Sequence, residues 1–230
     1  MIRDMNTNYF NVFLFLVFSG NSYASDTLKA NLLEDVEGNK YEIINIGNQI
    51  WMRENLRTHT FRNGDPIPLV DENESWRRMT TAACCHHGNQ QSNCDLYGKL
   101  YNFYAVEDSG GLCPQGWRIP KEADFNELTQ YLGGEEVAGG KLKDVGTACW
   151  QTPNMGATNE SGFSALPGGQ RSVFGIFGNL GNTGTWWTGS NNNTFTAWAL
   201  SLFSYSGGSG VYKYYYDKKV GLSVRCIKGS

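Results

Sequence analysis

The sequence predicts a loop-rich α+β domain with two short helices, small antiparallel sheets and long connections. Three observations predict it. Charged residues make up 18% of the chain, below the roughly 25% of an ordinary soluble domain, which argues against a bundle of long solvated helices. The 230 residues include 28 glycines, 12 phenylalanines, 12 tyrosines and 7 tryptophans, a composition of turns anchored by rings. Clear helical periodicity is confined to one region near residues 121–143, and the chain beyond it reads as strands and loops. Hydrophobic residues at 40% support a folded core. A net charge of −3 argues against the basic footprint of a nucleic-acid-binding protein.

The chain opens with a short apolar run, VFLFLVF over Val12 to Phe18, followed by Ser22-Tyr23-Ala24. This pattern predicts a signal peptide over residues 1–24, cleaved after Ala24. No second apolar run approaches the ~18 residues of a membrane span. The mature chain is therefore expected to carry a short segment, 25–34, and one domain over 35–230. Its expected location is the cell envelope or the exterior. Export permits disulfides, and Cys84, Cys85, Cys94, Cys113, Cys149 and Cys226 allow fifteen complete pairings. Cys84 and Cys85 are badly placed to bond each other. One of them could close a short loop with Cys94, and Cys85 with Cys94 is the candidate pair. A bridge from Cys113 to Cys226 would close a loop of about half the chain and stabilise it by roughly 4–5 kcal/mol in the chain-entropy account.

Asp35 to Asn39 is turn chemistry. Tyr41 to Ile46 and Gln49 to about Glu54 read as strands joined by Gly47-Asn48, a strong hairpin signal. Residues 63–93 are polar and aperiodic and read as a long insertion. Leu96 to Val106 reads as a short helix or a strand. A helix is expected from Lys121 to Leu132, with Phe125, Leu128 and Leu132 on one face, acidic residues in its first turn and Gly133-Gly134 at its end. A shorter one follows from Glu136 to Lys143. Gly175, Gly178, Gly181 and Gly184 mark a turned loop. Trp186-Trp187 opens a strand, Ala197 to Phe203 and Val211 to Tyr216 flank the turn Ser204 to Gly210, and Gly221 to Ile227 is the closing strand.

Six segments in order carry a resemblance: IGNQIWMRENL from Ile46, YGKLYNFYAV from Tyr97, LCPQGWRIP from Leu112, GFSALPGG from Gly162, WWTGS from Trp186 and GLSVRC from Gly221. Together they resemble the Fibrobacter succinogenes major paralogous domain family over about residues 35–228. That family is similar in fold to C-type-lectin-like domains and to the formylglycine-generating enzyme. The resemblance implies a C-type-lectin-like fold with a small sheet joining the termini and a Cys113–Cys226 bridge. It also implies an exported bacterial protein. Lys121 departs from the small hydroxyl residue found in relatives at the helix cap.

Candidate chemistry is sparse. The triplets with which C-type lectins bind calcium are absent: Thr152-Pro153-Asn154 and Thr196-Ala197-Trp198 lack the carboxylates. Asp35 to Asn39 is a turn rather than a calcium loop. Cys84-Cys85-His86-His87 with Cys94 has zinc-ligand chemistry but a spacing too crowded for a finger, so no metal and no cofactor is expected. An oxidase of the formylglycine-generating kind needs a reactive cysteine pair near the C-terminus, and only Cys226 lies there. No nucleophile elbow is present. The aromatic C-terminal half is the remaining candidate, with Trp187, Tyr205 and Tyr214 expected as exposed ligand-binding rings flanked by Ser, Gly and Asn. The expected function is non-enzymatic binding of carbohydrate or protein at the cell surface. The rival expectations are an enzyme on the same scaffold and a purely structural surface protein.

Overall fold

A computed structural model describes residues 32–205 and 207–229; the expected signal peptide and residues 25–31 lie outside the described residues. The chain begins with β1 (Leu32–Glu34), β2 (Lys40–Ile46) and β3 (Gln49–Met52). In the β2–β3 hairpin Ile46 faces Gln49, and the two-residue turn places Gly47 at φ +59°. Before it, Asp35 Oδ1 accepts the amides of Glu37 and Asn39, and Oδ2 accepts the Tyr41 hydroxyl at 2.7 Å. The aspartate is spent on holding a turn.

The insertion contains more structure than its polarity suggests: α1 (Asn73–Arg78), β4 (Cys84–Cys85), a 3-10 turn at His87–Asn89 and α2 (Gln91–Tyr97). Leu96 to Val106 resolves into the end of α2, then β5 (Leu100–Tyr101) and α3 (Phe103–Val106). After β6 (Trp117–Arg118) come the two expected helices, α4 (Glu122–Tyr131) and α5 (Glu135–Leu142). Helix α4 starts where expected despite Lys121. Asp124 supplies the missing cap by accepting the Lys121 amide at 2.6 Å, and it also accepts from Nη1 and Nη2 of Arg118.

The glycine-marked loop forms β7 (Gln170–Arg171) and β8 (Phe177–Gly178), followed by β9 (Thr183–Asn191), β10 (Thr196–Phe203) and β11 (Tyr212–Asp217). The expected closing strand is mostly not one: only Ile227–Lys228 forms β12. Residues 221–223 instead bridge singly to Arg171, Tyr101 and Trp186. Each residue finds a different partner, so no ladder propagates.

Strand β12 lies between β3 and β6 in a five-stranded antiparallel sheet ordered β1-β2-β3-β12-β6, which brings the two ends of the described chain together. Cys113 and Cys226 are disulfide-bonded across this junction, with Cα atoms 6.0 Å apart. A second sheet, β11-β10-β9, stands between two apolar clusters. Trp187 belongs to one with Phe103, Leu222 and Val224, and Trp186 to the other with Phe125, Leu128 and Phe163. The architecture is mixed α and β with small antiparallel sheets.

One polar node ties the two sheets. Asn55 Oδ1 accepts from Trp186 Nε1 at 2.8 Å and from Arg225 Nε and Nη2 at 3.1 and 2.9 Å. Arg225 is fully buried, and its other bonds go to the carbonyls of Phe163 and Ser164. Its guanidinium carbon stands 4.1 Å from the Phe163 ring centroid. Burial pushes its pKa down to about 9, so the group remains charged at neutral pH.

Replacing Cys113 and Cys226 together by serine is expected to cost about 4–5 kcal/mol in urea unfolding, because the bond closes a loop with a sequence separation of 113 residues. Asn55→Leu removes one acceptor from three buried donors and is expected to cost at least about 3 kcal/mol in the same measurement.

Candidate functional site

The β-register decides which aromatic residues reach solvent. Ala199 pairs with Trp187 on one side and Tyr214 on the other, and Ser201 pairs with Thr185 and Tyr212. Paired residues share a face, so one face of the sheet runs from Trp187 through small residues to Tyr212, Tyr214 and Tyr216. At the β9 end Phe103 covers it, with ring centroids 5.1 Å from Trp187. At the outer strand β11 it opens, and Tyr214 is 44% exposed. Tyr215 points to the opposite face and packs edge-on against Trp198 at 5.7 Å.

The rings form a connected ladder. Trp187 meets Tyr216 at 6.3 Å, Tyr216 meets Tyr214 at 6.5 Å, and Tyr214 meets Phe203 at 6.3 Å. Phe203 then contacts Tyr212 at 5.3 Å and Tyr205 at 5.1 Å. Tyr205, 52% exposed, is the outermost rung. Burial, then the neighbouring tyrosines, raises its pKa, so its hydroxyl stays neutral and able to donate. Beside the ladder lies a cleft of about 400 Å³ lined by Glu135, Glu136, Gly207, Ser209, Val211 and Tyr212, among others. Glu135 is paired with Lys213 at 2.9 Å.

The turn between β10 and β11 is tied to α5. Gly140 N donates to Ser209 O at 2.9 Å and Val211 N to Glu135 O at 2.7 Å. The approach is so close that a Cβ on Gly139 would stand 2.0 Å from Gly210 O. Lys143, fully buried, donates from Nζ to Phe203 O at 2.9 Å and Met155 O at 2.8 Å. No carboxylate is paired with it among the described residues, and burial lowers its pKa to about 8.

The sequence-predicted residues separate. Tyr205 and Tyr214 lie on the ladder. Trp187 does not reach solvent: it is 0% exposed, and its Nε1 donates to Tyr101 O at 2.8 Å. Both members of the Trp186-Trp187 pair are core, because the sheet is covered on both faces where β9 passes. Cys85 and Cys94 are not bridged; Cys84, Cys85, Cys94 and Cys149 are all thiols. Strand alternation sends Cys84 into the main cluster and Cys85 into a separate one with Trp76 and Leu100. Cys94 turns to Lys99 instead. The histidines beside them also part: His87 packs on Phe177 at 5.2 Å, and no three His, Cys, Asp or Glu side chains converge as metal ligands among the described residues. The acidic pair Glu135-Glu136 and the buried Lys143 were not singled out by sequence as site residues. The acidic pair reads as a solvated helix start, and nothing in the pattern flags a lysine as buried.

A family model for the Fibrobacter succinogenes major domain matches residues 44–228. The chain belongs to that family. Neither a curated protein nor a solved structure matches it significantly. The match spans helices α1 to α5, the Cys113–Cys226 disulfide and the whole ladder, so in this member of the Fibrobacter succinogenes major domain family the ring face is part of the family domain itself.

Lys143 generates a pH test. Below about pH 8 the folded and unfolded chains both carry its proton. From there up to its ordinary value of 10.5 the unfolded chain binds more protons, so this residue makes stability rise with pH. Thermal unfolding of Lys143→Met beside the wild type is expected to show that rise missing from the variant.

Proposed function

We propose that the domain is a non-catalytic binding module of C-type-lectin-like fold, exported to the cell envelope or beyond, and that carbohydrate is the ligand its ring face suits best. The observation that carries this reading is the connected ladder, with Tyr205 and Tyr214 exposed beside a carboxylate-lined cleft. Rings of this kind offer an apolar face to the C–H side of a sugar and a polar tip to its hydroxyls. Glu136 and the turn's backbone groups supply further acceptors within the same cleft. The fold assignment is supported by the small sheet that joins the chain's ends and by the bond from Cys113 to Cys226. Burial raises the Cys84 thiol and pushes Cys85 up to about 12, which favours binding over thiol catalysis.

A glycan array followed by titration calorimetry of the best hit tests the proposal. Tyr205→Ala and Tyr214→Ala are each expected to weaken binding about tenfold, near 1.4 kcal/mol. Wild-type affinity in both variants, or binding confined to protein partners, would overturn the carbohydrate assignment.

A further inference from the structure

Lys99 is 6% exposed, and no carboxylate pairs with it among the described residues. Its hydrogen bond from Nζ goes to a sulfur: Cys94 Sγ at 3.5 Å. Cys94 is itself 2% exposed. The backbone holds the two together across the end of α2. Gly98 N donates to Cys94 O at 2.9 Å, and Lys99 N donates to Leu56 O at 3.0 Å. Gly98 takes φ +77°, and a Cβ there would stand 2.7 Å from Asn55 Cβ, so the turn is seated hard against residues 55–56. An amine and a thiol are thus fixed side by side in the interior. A buried lysine nitrogen whose side-chain partner is a sulfur recovers less of its lost hydration than one that meets oxygens, and the contact holds the nitrogen beside the atom that oxidants attack.

We propose that Cys94 and Lys99 form an oxidisable pair which hydrogen peroxide converts into a covalent S–O–N crosslink. One peroxide oxidises the thiol to a sulfenic acid and leaves as water. Lys99 releases its ammonium proton to solvent, and a second peroxide oxidises the neutral amine to a hydroxylamine, leaving another water. The hydroxylamine oxygen then attacks the sulfenic sulfur, and a third water departs. In sum, one thiol, one amine and two peroxides give one S–O–N bridge and three waters, with four electrons passing to peroxide. An oxygen-spanned bridge accommodates a wider separation of sulfur and nitrogen than a direct S–N bond. It therefore asks less movement of two side chains in a densely packed interior. The competing product is a disulfide to Cys84, which lies within electrostatic reach of both groups.

The test is peroxide treatment of the folded protein, followed by intact mass and a peptide map without reductant. The expected result is a gain of about 14 Da, one oxygen added and two hydrogens lost. It should map to a peptide that holds both Cys94 and Lys99, with trypsin failing to cut after Lys99, and a dithiol reductant should break the crosslink at its S–O bond and restore the Cys94 thiol. Sulfinic or sulfonic acid at Cys94 with Lys99 still cleavable, a disulfide from Cys94 to Cys84, or an unchanged mass would each overturn the proposal. Lys99→Arg keeps a buried cation and should lose the 14 Da product; the same gain in that variant would also overturn it. Should Lys99→Arg fail to fold, the wild-type map decides alone.

Discussion

The carboxamide oxygen of Asn55, taking three hydrogen bonds from Trp186 and Arg225, is the point at which the chain's beginning, middle and end meet. Asn55 follows β3, Trp186 lies within β9, and Arg225 precedes the disulfide-bonded Cys226 by one residue. The node fixes how the three-stranded sheet stands against the terminal sheet. From that placement the ladder follows. With Trp186 turned to Asn55, strand alternation sends Trp187 to the other face, into the cluster with Phe103. The rungs Tyr216, Tyr214 and Tyr212 are then set by register, and Tyr205 joins them from the turn after β10 by packing on Phe203.

The same economy explains the buried cations. A loop-rich domain leaves many carbonyls outside regular ladders, and each must find a donor. Arg225 serves the carbonyls of Phe163 and Ser164. Arg171 serves Val70, Asp71 and Gly175 while lying between the rings of Trp76 and Phe177, each 4.6 Å away. Lys143 serves Met155 and Phe203. These long side chains do in the interior what backbone amides do in a helix or sheet. The rings beside them compensate part of the lost hydration through cation–π contact.

Sequence reasoning succeeds in this chain where local chemistry decides, and fails where tertiary cover does. The Gly47-Asn48 hairpin, the α4 face of Phe125, Leu128 and Leu132, and the alternation of Tyr214, Tyr215 and Tyr216 were legible because turn residues and periodicity set them. Helix α2 was not, since only Cys94 and Tyr97 of its seven residues are buried and no apolar stripe announces it. The burial of Trp187 was hidden because an alternating pattern does not say whether its second face is also covered. The short stretch at Gly221 to Ser223 has strand-like residues, yet its partners Arg171, Tyr101 and Trp186 come from three different parts of the chain. Half of the candidate site, Tyr205 and Tyr214, lay in the pattern; the acidic rim and Lys143 depend on how α5 packs against the turn.

Lys99 stands apart from the other four buried lysines and arginines among the described residues, of which Lys218 is paired with Glu107 at 2.8 Å. Arg171, Arg225 and Lys143 each meet at least two oxygens and at least one ring. Those contacts repay desolvation locally, and in each case the cation's removal would strand acceptors. Lys99 meets a sulfur and strands nothing comparable if it is lost. A residue that neither satisfies carbonyls nor neutralises a carboxylate is poorly accounted for as scaffolding. What it does provide is an amine held against a thiol, and the Gly98 turn, seated against residues 55–56 with no room for a side chain, keeps the two atoms in that relation.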